Sequence, residues 1–289
     1  MRLKQSLKNT AKAALKCSIL GIYIIIFLYG CVDNTEPTYK EADIPRLVKQ
    51  ICKEEYNLDV ITERTPTTIW VYAPVNKILN KEYGIKEDKI FDEEIMDKLR
   101  NILNTIGRVL ISSDKTPEFF ALLVSDINLG LDYTLISNTL DMKKSYAGFI
   151  PWTEANRRYV TKFKIAPQAL QDPEGKHFKV YDIKLPDFLA EQIAQRIFAQ
   201  FQEENLKKYF KVEKSDGRFN NDKFIFEYSI KQILKPDKKI NTIKEILGII
   251  YYCIKTYEFR DFSYVEIRDS LTEDKLILNR EEILRGSIR

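Results

Sequence analysis

The feature that most constrains this chain is its N-terminal segment, a basic leader followed by a short apolar run that ends at a cysteine. Residues 1–16 carry five basic side chains and no acidic one, and residues 17–30 carry no charge. A membrane-spanning helix needs about 20 apolar residues, whereas an apolar run of about 7–15 residues behind a basic leader is typical of a secretory signal peptide. We therefore expect residues 1–30 to be a signal peptide.

The apolar run ends with Leu28-Tyr29-Gly30-Cys31. These four residues resemble the lipobox of bacterial lipoproteins, in which the cysteine becomes the lipid-modified N-terminus, with palmitate among its acyl chains. The resemblance covers the leader alone, and it implies that Cys31 anchors the protein to a membrane of the cell envelope. Val32 stands where some inner-membrane lipoproteins have aspartate, which favours the periplasmic side of the outer membrane. The alternative is an uncleaved N-terminal anchor.

The segment after Cys31, residues 31–42, is a polar tether. Its eleven residues beyond the cysteine reach at most about 35–40 Å at the length of an extended chain. The leader also accounts for the positive charge of the chain, because the remainder has 41 basic and 42 acidic residues. A nearly neutral body gives no electrostatic argument for nucleic acid as a partner.

Hydrophobic periodicity predicts an α+β protein with two α-β-β-α-β-β units, a first lobe at residues 43–140 and a second at residues 185–289. Each unit would place two helices on one face of a four-stranded antiparallel sheet. The connector, residues 141–184, shows little regular structure before a strand near residues 178–183. The segment SDGRFNND, residues 215–222, is predicted to be a turn.

Two cysteines remain in the body, Cys52 and Cys253, and both fall on apolar faces of predicted helices. This placement predicts two buried free thiols. A disulfide between them is the alternative, because an exported protein folds in an oxidising compartment.

No motif for catalysis, metal binding or cofactor binding is visible. The single histidine, His177, lies in the turn-rich sequence PEGKHF and is expected to be exposed. It has no Cys or His neighbour at the spacing of a zinc site, and any histidine-based triad would have to use it as the base. Asp126, Asn128 and Asp132 lack the spacing of a calcium loop and predict a hairpin.

The most unusual local composition is YAGFIPWTEANRRY, residues 146–159, which combines aromatic side chains with arginines. Trp152, Arg157, Arg158 and Tyr159 are therefore a candidate binding surface, because aromatic residues and Arg are enriched at interfaces. The alternative is that these aromatic side chains pack the two lobes together.

These observations favour a non-enzymatic binding or structural component of the cell envelope, with an envelope protein or polymer as its partner. One alternative is a carrier that holds a small ligand in a cleft between the lobes. Another is a hydrolase or transferase that uses Asp, Glu, Ser or Tyr in place of histidine.

We predict that the mature protein begins at an acylated Cys31, because a lipobox-type leader is cleaved immediately before its cysteine. Mass spectrometry of the N-terminal peptide should find acyl chains on Cys31, and Cys31→Ser should abolish both the modification and the cleavage. A mature protein that retains residues 1–30 would contradict this prediction and support the uncleaved anchor.

Overall fold

The computed structural model describes residues 37–80, 91–236 and 240–285. The signal peptide, Cys31 and the first part of the tether lie outside the described residues. Within the described ranges, no helix is both long enough and apolar enough to cross a bilayer.

The first lobe consists of α1 (Ile44–Tyr56), β1 (Ile61–Arg64), β2 (Thr68–Val75), α2 (Glu93–Ile111), β3 (Phe119–Asp126) and β4 (Leu131–Asn138). The connector contains α3 (Thr139–Tyr146), α4 (Trp152–Asn156) and β5 (Val160–Ile165). The second lobe consists of α5 (Leu185–Gln202), α6 (Glu204–Lys207), β6 (Phe210–Asn220), β7 (Lys223–Gln232), α7 (Thr242–Thr256), β8 (Tyr264–Asp269), β9 (Lys275–Asn279) and α8 (Arg280–Leu284).

The predicted α+β class is confirmed, and the order α-β-β-α-β-β occurs in both lobes, with the short α6 added in the second. The sheets, however, are mixed rather than antiparallel. The central pair is parallel in each sheet, β2 with β3 and β7 with β8, while the outer pairs are antiparallel. A helix joins the two hairpins of each lobe. This helical crossover carries the chain back to the end of the sheet at which the preceding strand began, so the two joined strands run parallel.

The helices of each lobe cover one face of its sheet. In the first lobe, Ile69, Val71 and Leu122 belong to the core that includes the apolar stripe of α2. The Asp92 side chain accepts a hydrogen bond from the Glu94 amide and so caps α2, as the sequence predicts. The second core is richer in aromatic residues, listed here in chain order: Phe201, Phe210, Phe224, Phe226, Tyr228, Phe259 and Phe262.

Both body cysteines are buried free thiols, as predicted. Cys52 lies in the first core and Cys253 in the second. Burial disfavours the charged thiolate and raises the pKa of Cys253 to about 12.

The connector is more ordered than the sequence suggests. Its strand β5 pairs antiparallel with β4 and extends the first sheet to five strands. The strand expected near residues 178–183 is absent, because this segment crosses the face of the first sheet opposite α1 and α2 and bonds to side chains there. The Trp70 indole N–H donates to the Tyr181 carbonyl at 2.9 Å, and the Ile183 amide donates to the Thr68 hydroxyl at 3.1 Å.

The turn predicted over residues 215–222 is also shorter than expected. Strand β6 continues to Asn220, and only Asn221 and Asp222 form the turn, with φ values of 49° and 56°. Positive φ at both central residues is the requirement of a tight two-residue hairpin. Gly217 therefore lies inside the strand, where a Cβ atom would be 2.1 Å from the Ala190 carbonyl oxygen.

We predict that Gly217→Ala destabilises the protein by about 1–3 kcal/mol, the usual cost of overpacking, because strand β6 must move away from α5. Gly248→Ala is the matched control, since Gly248 lies in α7 with no atom near its added methyl group. That substitution should stabilise the protein by up to about 1 kcal/mol through helix propensity. Urea unfolding measures both values, and equal effects would contradict the close approach of β6 to α5.

Candidate functional site

The face of the first sheet opposite α1 and α2 packs against Phe188 of α5 at one end and carries polar side chains in register at the other. Ser125 on β3 is paired with Asp132 on β4, which in turn is paired with Lys164 on β5. Two residues further along β4, and therefore on the same face, Thr134 is paired with Lys162. Paired residues on neighbouring strands point to the same face, so these rows form one polar surface.

A loop of the connector places His177 against this face. Its Nδ1 atom lies 2.7 Å from Asp172 Oδ2, and its Nε2 atom lies 3.3 Å from Ser125 Oγ. The His177 side chain is only 5% exposed, so the expectation of an exposed turn residue is wrong. The turn approaches the sheet closely because Gly175, at φ +66°, has no side chain to meet the Tyr72 ring.

The electrostatics of this network favour a charged Asp172. Burial acts to raise the pKa of Asp172, but hydrogen bonds from the His177 ring and from the amides of His177 and Lys176 outweigh it and lower the pKa to about 2. Burial also raises the pKa of Tyr72 to about 12, so its hydroxyl keeps its proton. That hydroxyl donates to the Asp172 carbonyl oxygen at 2.9 Å and adds a second attachment of the loop.

Ser125, His177 and Asp172 have the residue types of a catalytic triad, but their arrangement does not activate a nucleophile. Ser125 is fully buried. Its hydroxyl donates to Asp132 Oδ1 at 2.5 Å, so its proton points to a carboxylate and away from the imidazole. A serine nucleophile needs the histidine as its proton acceptor and open access to substrate. The network therefore serves to hold the connector loop on the sheet.

A cleft of about 600 Å³ opens above this network, with Asp132 and His177 among the residues that line it. The others are Trp70, Leu123, Thr134, Lys162, Lys164, Gln168, Lys179 and Tyr181. Lys162 is neutralised by Glu191 at 2.6 Å. Within the described residues, Lys164 and Lys179 form no ion pair, and the Asp132 carboxylate opposite Lys164 offsets part of their positive charge.

Comparisons of the chain with protein-family models, with curated proteins and with solved structures find no match. In the part of the chain that the structure describes, no three His, Cys, Asp or Glu side chains are grouped in a way that fits a metal ion.

Of the four residues of the predicted binding surface, two are exposed in the structure and two are buried or partly buried. Trp152 is 53% exposed, and Arg157 is exposed beside Glu203 at 3.0 Å. Arg158 is buried and Tyr159 packs against the first core, so neither belongs to an accessible surface. Burial raises the pKa of Tyr159 to about 12.

Arg158 instead joins the lobes. Its guanidinium lies 2.6 Å from Asp141 and 2.9 Å from Glu154, and Asp141 also accepts a hydrogen bond from the Tyr257 hydroxyl of the second lobe. Gln192, also in the second lobe, donates to the Arg158 carbonyl oxygen and to the Tyr257 hydroxyl. The alternative that the aromatic side chains pack the lobes together does not hold for Trp152, which remains on the surface with Arg157, and it is Arg158 that contacts the second lobe.

We predict that Arg158→Ala lowers the free energy of unfolding by about 3–5 kcal/mol, because it leaves the buried Asp141 carboxylate without its cation. The neighbouring Arg157→Ala is the control, and it should cost about 0–1 kcal/mol because its ion pair is exposed. Chemical denaturation measures the difference. Similar losses in the two variants would contradict a structural role specific to Arg158.

Proposed function

We propose that the protein is a membrane-anchored lipoprotein of the cell envelope that acts as a non-enzymatic binding component. Acyl chains on Cys31 hold it on the periplasmic side, at the outer membrane, and the cleft above His177 takes an anionic envelope polymer. The signal-type leader supports the anchoring. The observation that carries the binding role is the pair of lysines that form no ion pair among the described residues, Lys164 and Lys179, at the cleft on the polar end of the face of the first sheet opposite α1 and α2.

The lining of the cleft fits a polymer with acidic groups and sugar rings. Lys164 and Lys179 offer ammonium donors on flexible stems, which suits carboxylate or phosphate groups spaced along a chain. Tyr181 is half-exposed and offers an aromatic face for an apolar ring surface, while its hydroxyl reaches water. The floor is rigid because the His177 network fixes it, so a ligand meets a preformed surface.

A second candidate function, the carrier of a small ligand, is favoured by one observation at the junction of the lobes. A cleft of about 500 Å³ is lined there by residues of α3 and by Leu185, Thr256 and Tyr257 of the second lobe. Thr139 also lines this cleft, and its hydroxyl oxygen is buried without a hydrogen-bond partner among the described residues. Rotation of the Thr139 side chain toward the cleft would let a polar ligand satisfy this hydroxyl.

We predict that Lys164→Ala and Lys179→Ala each weaken polymer binding about tenfold, since a hydrogen bond from a charged donor contributes about 1.5 kcal/mol. Co-sedimentation with isolated peptidoglycan sacculi measures the affinity, and polyphosphate serves as a competitor that offers charge without sugar. Lys231→Ala and Lys244→Ala, at exposed lysines of the second lobe, are matched controls. Equal losses in all four variants would remove the cleft as the binding site.

A further inference from the structure

The connector exposes a group of apolar and aromatic side chains that no core uses. Phe149 is 80% exposed, the highest value of any described aromatic residue, and Leu140 and Trp152 are both more than half exposed. Leu140, Phe149 and Ile150 line one groove on the surface. We call residues 140–152 the aromatic–lysine surface.

The backbone holds Phe149 in this exposed position. After α3, the Gly148 amide donates to the Ser145 carbonyl and the Phe149 amide donates to the Lys144 carbonyl, which are the two bonds of a Schellman motif. Gly148 has φ +75°, the left-handed conformation that this motif requires at its glycine. In such motifs the residue in the position of Phe149 often packs on an apolar side chain of the last turn, but that place is taken by Lys144. The phenyl ring is therefore directed outward by an ordered turn.

The charged side chains of this surface are lysines, and the exposed Glu118 and Glu258 line the adjoining cleft beside them. Lys143 and Lys144 line the same groove as Phe149, and neither forms an ion pair within the described part of the chain. The two acidic residues nearest in sequence, Asp141 and Glu154, are turned inward and neutralised by Arg158. The accessible groups of the segment are consequently apolar, aromatic or basic.

We propose that the aromatic–lysine surface docks on a layer of anionic phospholipid headgroups. Aromatic side chains are enriched at membrane–water interfaces, and basic residues beside them are attracted to anionic lipids. The inference rests on the proposed anchoring through Cys31, because the short tether keeps the body within reach of the bilayer. A folded body that is held only by acyl chains at its N-terminus can rotate relative to the membrane. Docking of the aromatic–lysine surface would fix which side of the body faces the bilayer.

A shallow insertion by a few side chains suffices for this role. Peripheral segments of this composition bury apolar groups about 5–10 Å into the boundary between headgroups and acyl chains. Lys143 and Lys144 then lie at the depth of the lipid phosphates. A protein partner would use the same apolar groups without requiring anionic lipid, so the dependence on lipid charge separates the two.

The experiment places a fluorescent probe at the tip of the surface in the full chain. Phe149→Trp combined with Trp152→Phe leaves two tryptophans, and Trp70 is buried beneath the connector. The protein is reconstituted in vesicles of phosphatidylglycerol and phosphatidylethanolamine that carry shallow brominated acyl chains. We expect roughly twofold quenching of the total emission, because an interfacial side chain reaches this depth, while the Trp70 component stays constant.

The controls separate docking from anchoring. The double variant Lys143→Glu, Lys144→Glu should abolish the quenching, whereas the double variant Lys231→Glu, Lys244→Glu should leave it unchanged. Vesicles of phosphatidylcholine alone should cause little quenching of the surface with its lysines unaltered. Flotation of the same samples reports anchoring independently. Protein that floats without quenching overturns the docking inference and leaves the anchor intact. Purified full-length protein that carries no acyl chains refutes the anchor, and its quenching by anionic vesicles would then support docking alone. Absence of both flotation and quenching overturns both proposals.

Discussion

The junction of the two lobes encloses one buried cation, the guanidinium of Arg158, beside the apolar contact of Phe188 with Phe119. A buried charge destabilises a fold unless opposite charges and hydrogen bonds surround it. Asp141 and Glu154, from two helices of the connector, supply the charges, and Tyr257 with Gln192 supplies the contacts from the second lobe. The same contacts turn Asp141 and Glu154 inward, and this is why the aromatic–lysine surface has no acidic side chain of its own at its exterior.

The parts of the fold that local patterns encode were predictable from the sequence. The apolar stripe of α2 and the Asp92 cap mark that helix, and short β-branched and aromatic runs mark β2, β3 and β7. The order of elements in both lobes follows from these signals alone. The direction of the central strand pairs does not, because a strand in the middle of a sheet has the same apolar pattern beside a parallel neighbour as beside an antiparallel one.

The candidate site was not predicted because its residues meet only through tertiary contacts. Ser125 and His177 are 52 positions apart, and β5 finds its place in the sheet by pairing with β4 across two intervening helices. One signal was present nonetheless. Ser125 and Asp132 interrupt strands that are otherwise strongly apolar, and polar side chains buried in such strands need hydrogen-bond partners from another part of the chain. His177 and the connector loop provide them.

The comparison of the lobes shows that the cleft originates in the connector and not in the shared fold. Both sheets pack helices on one face, but the polar groups on the other face are satisfied differently. In the second lobe, the buried carboxylate of Glu266 is neutralised by Lys223, Arg268 and Lys275. These cations come from the strands of the same sheet, and no added segment is needed. In the first lobe, Asp132 is satisfied by Ser125 and faces His177, which arrives on a loop. The loop forms one side of the cleft, and Lys164 of β5 and Lys179 of the loop line it without an ion pair among the described residues, so both can bind an acidic ligand.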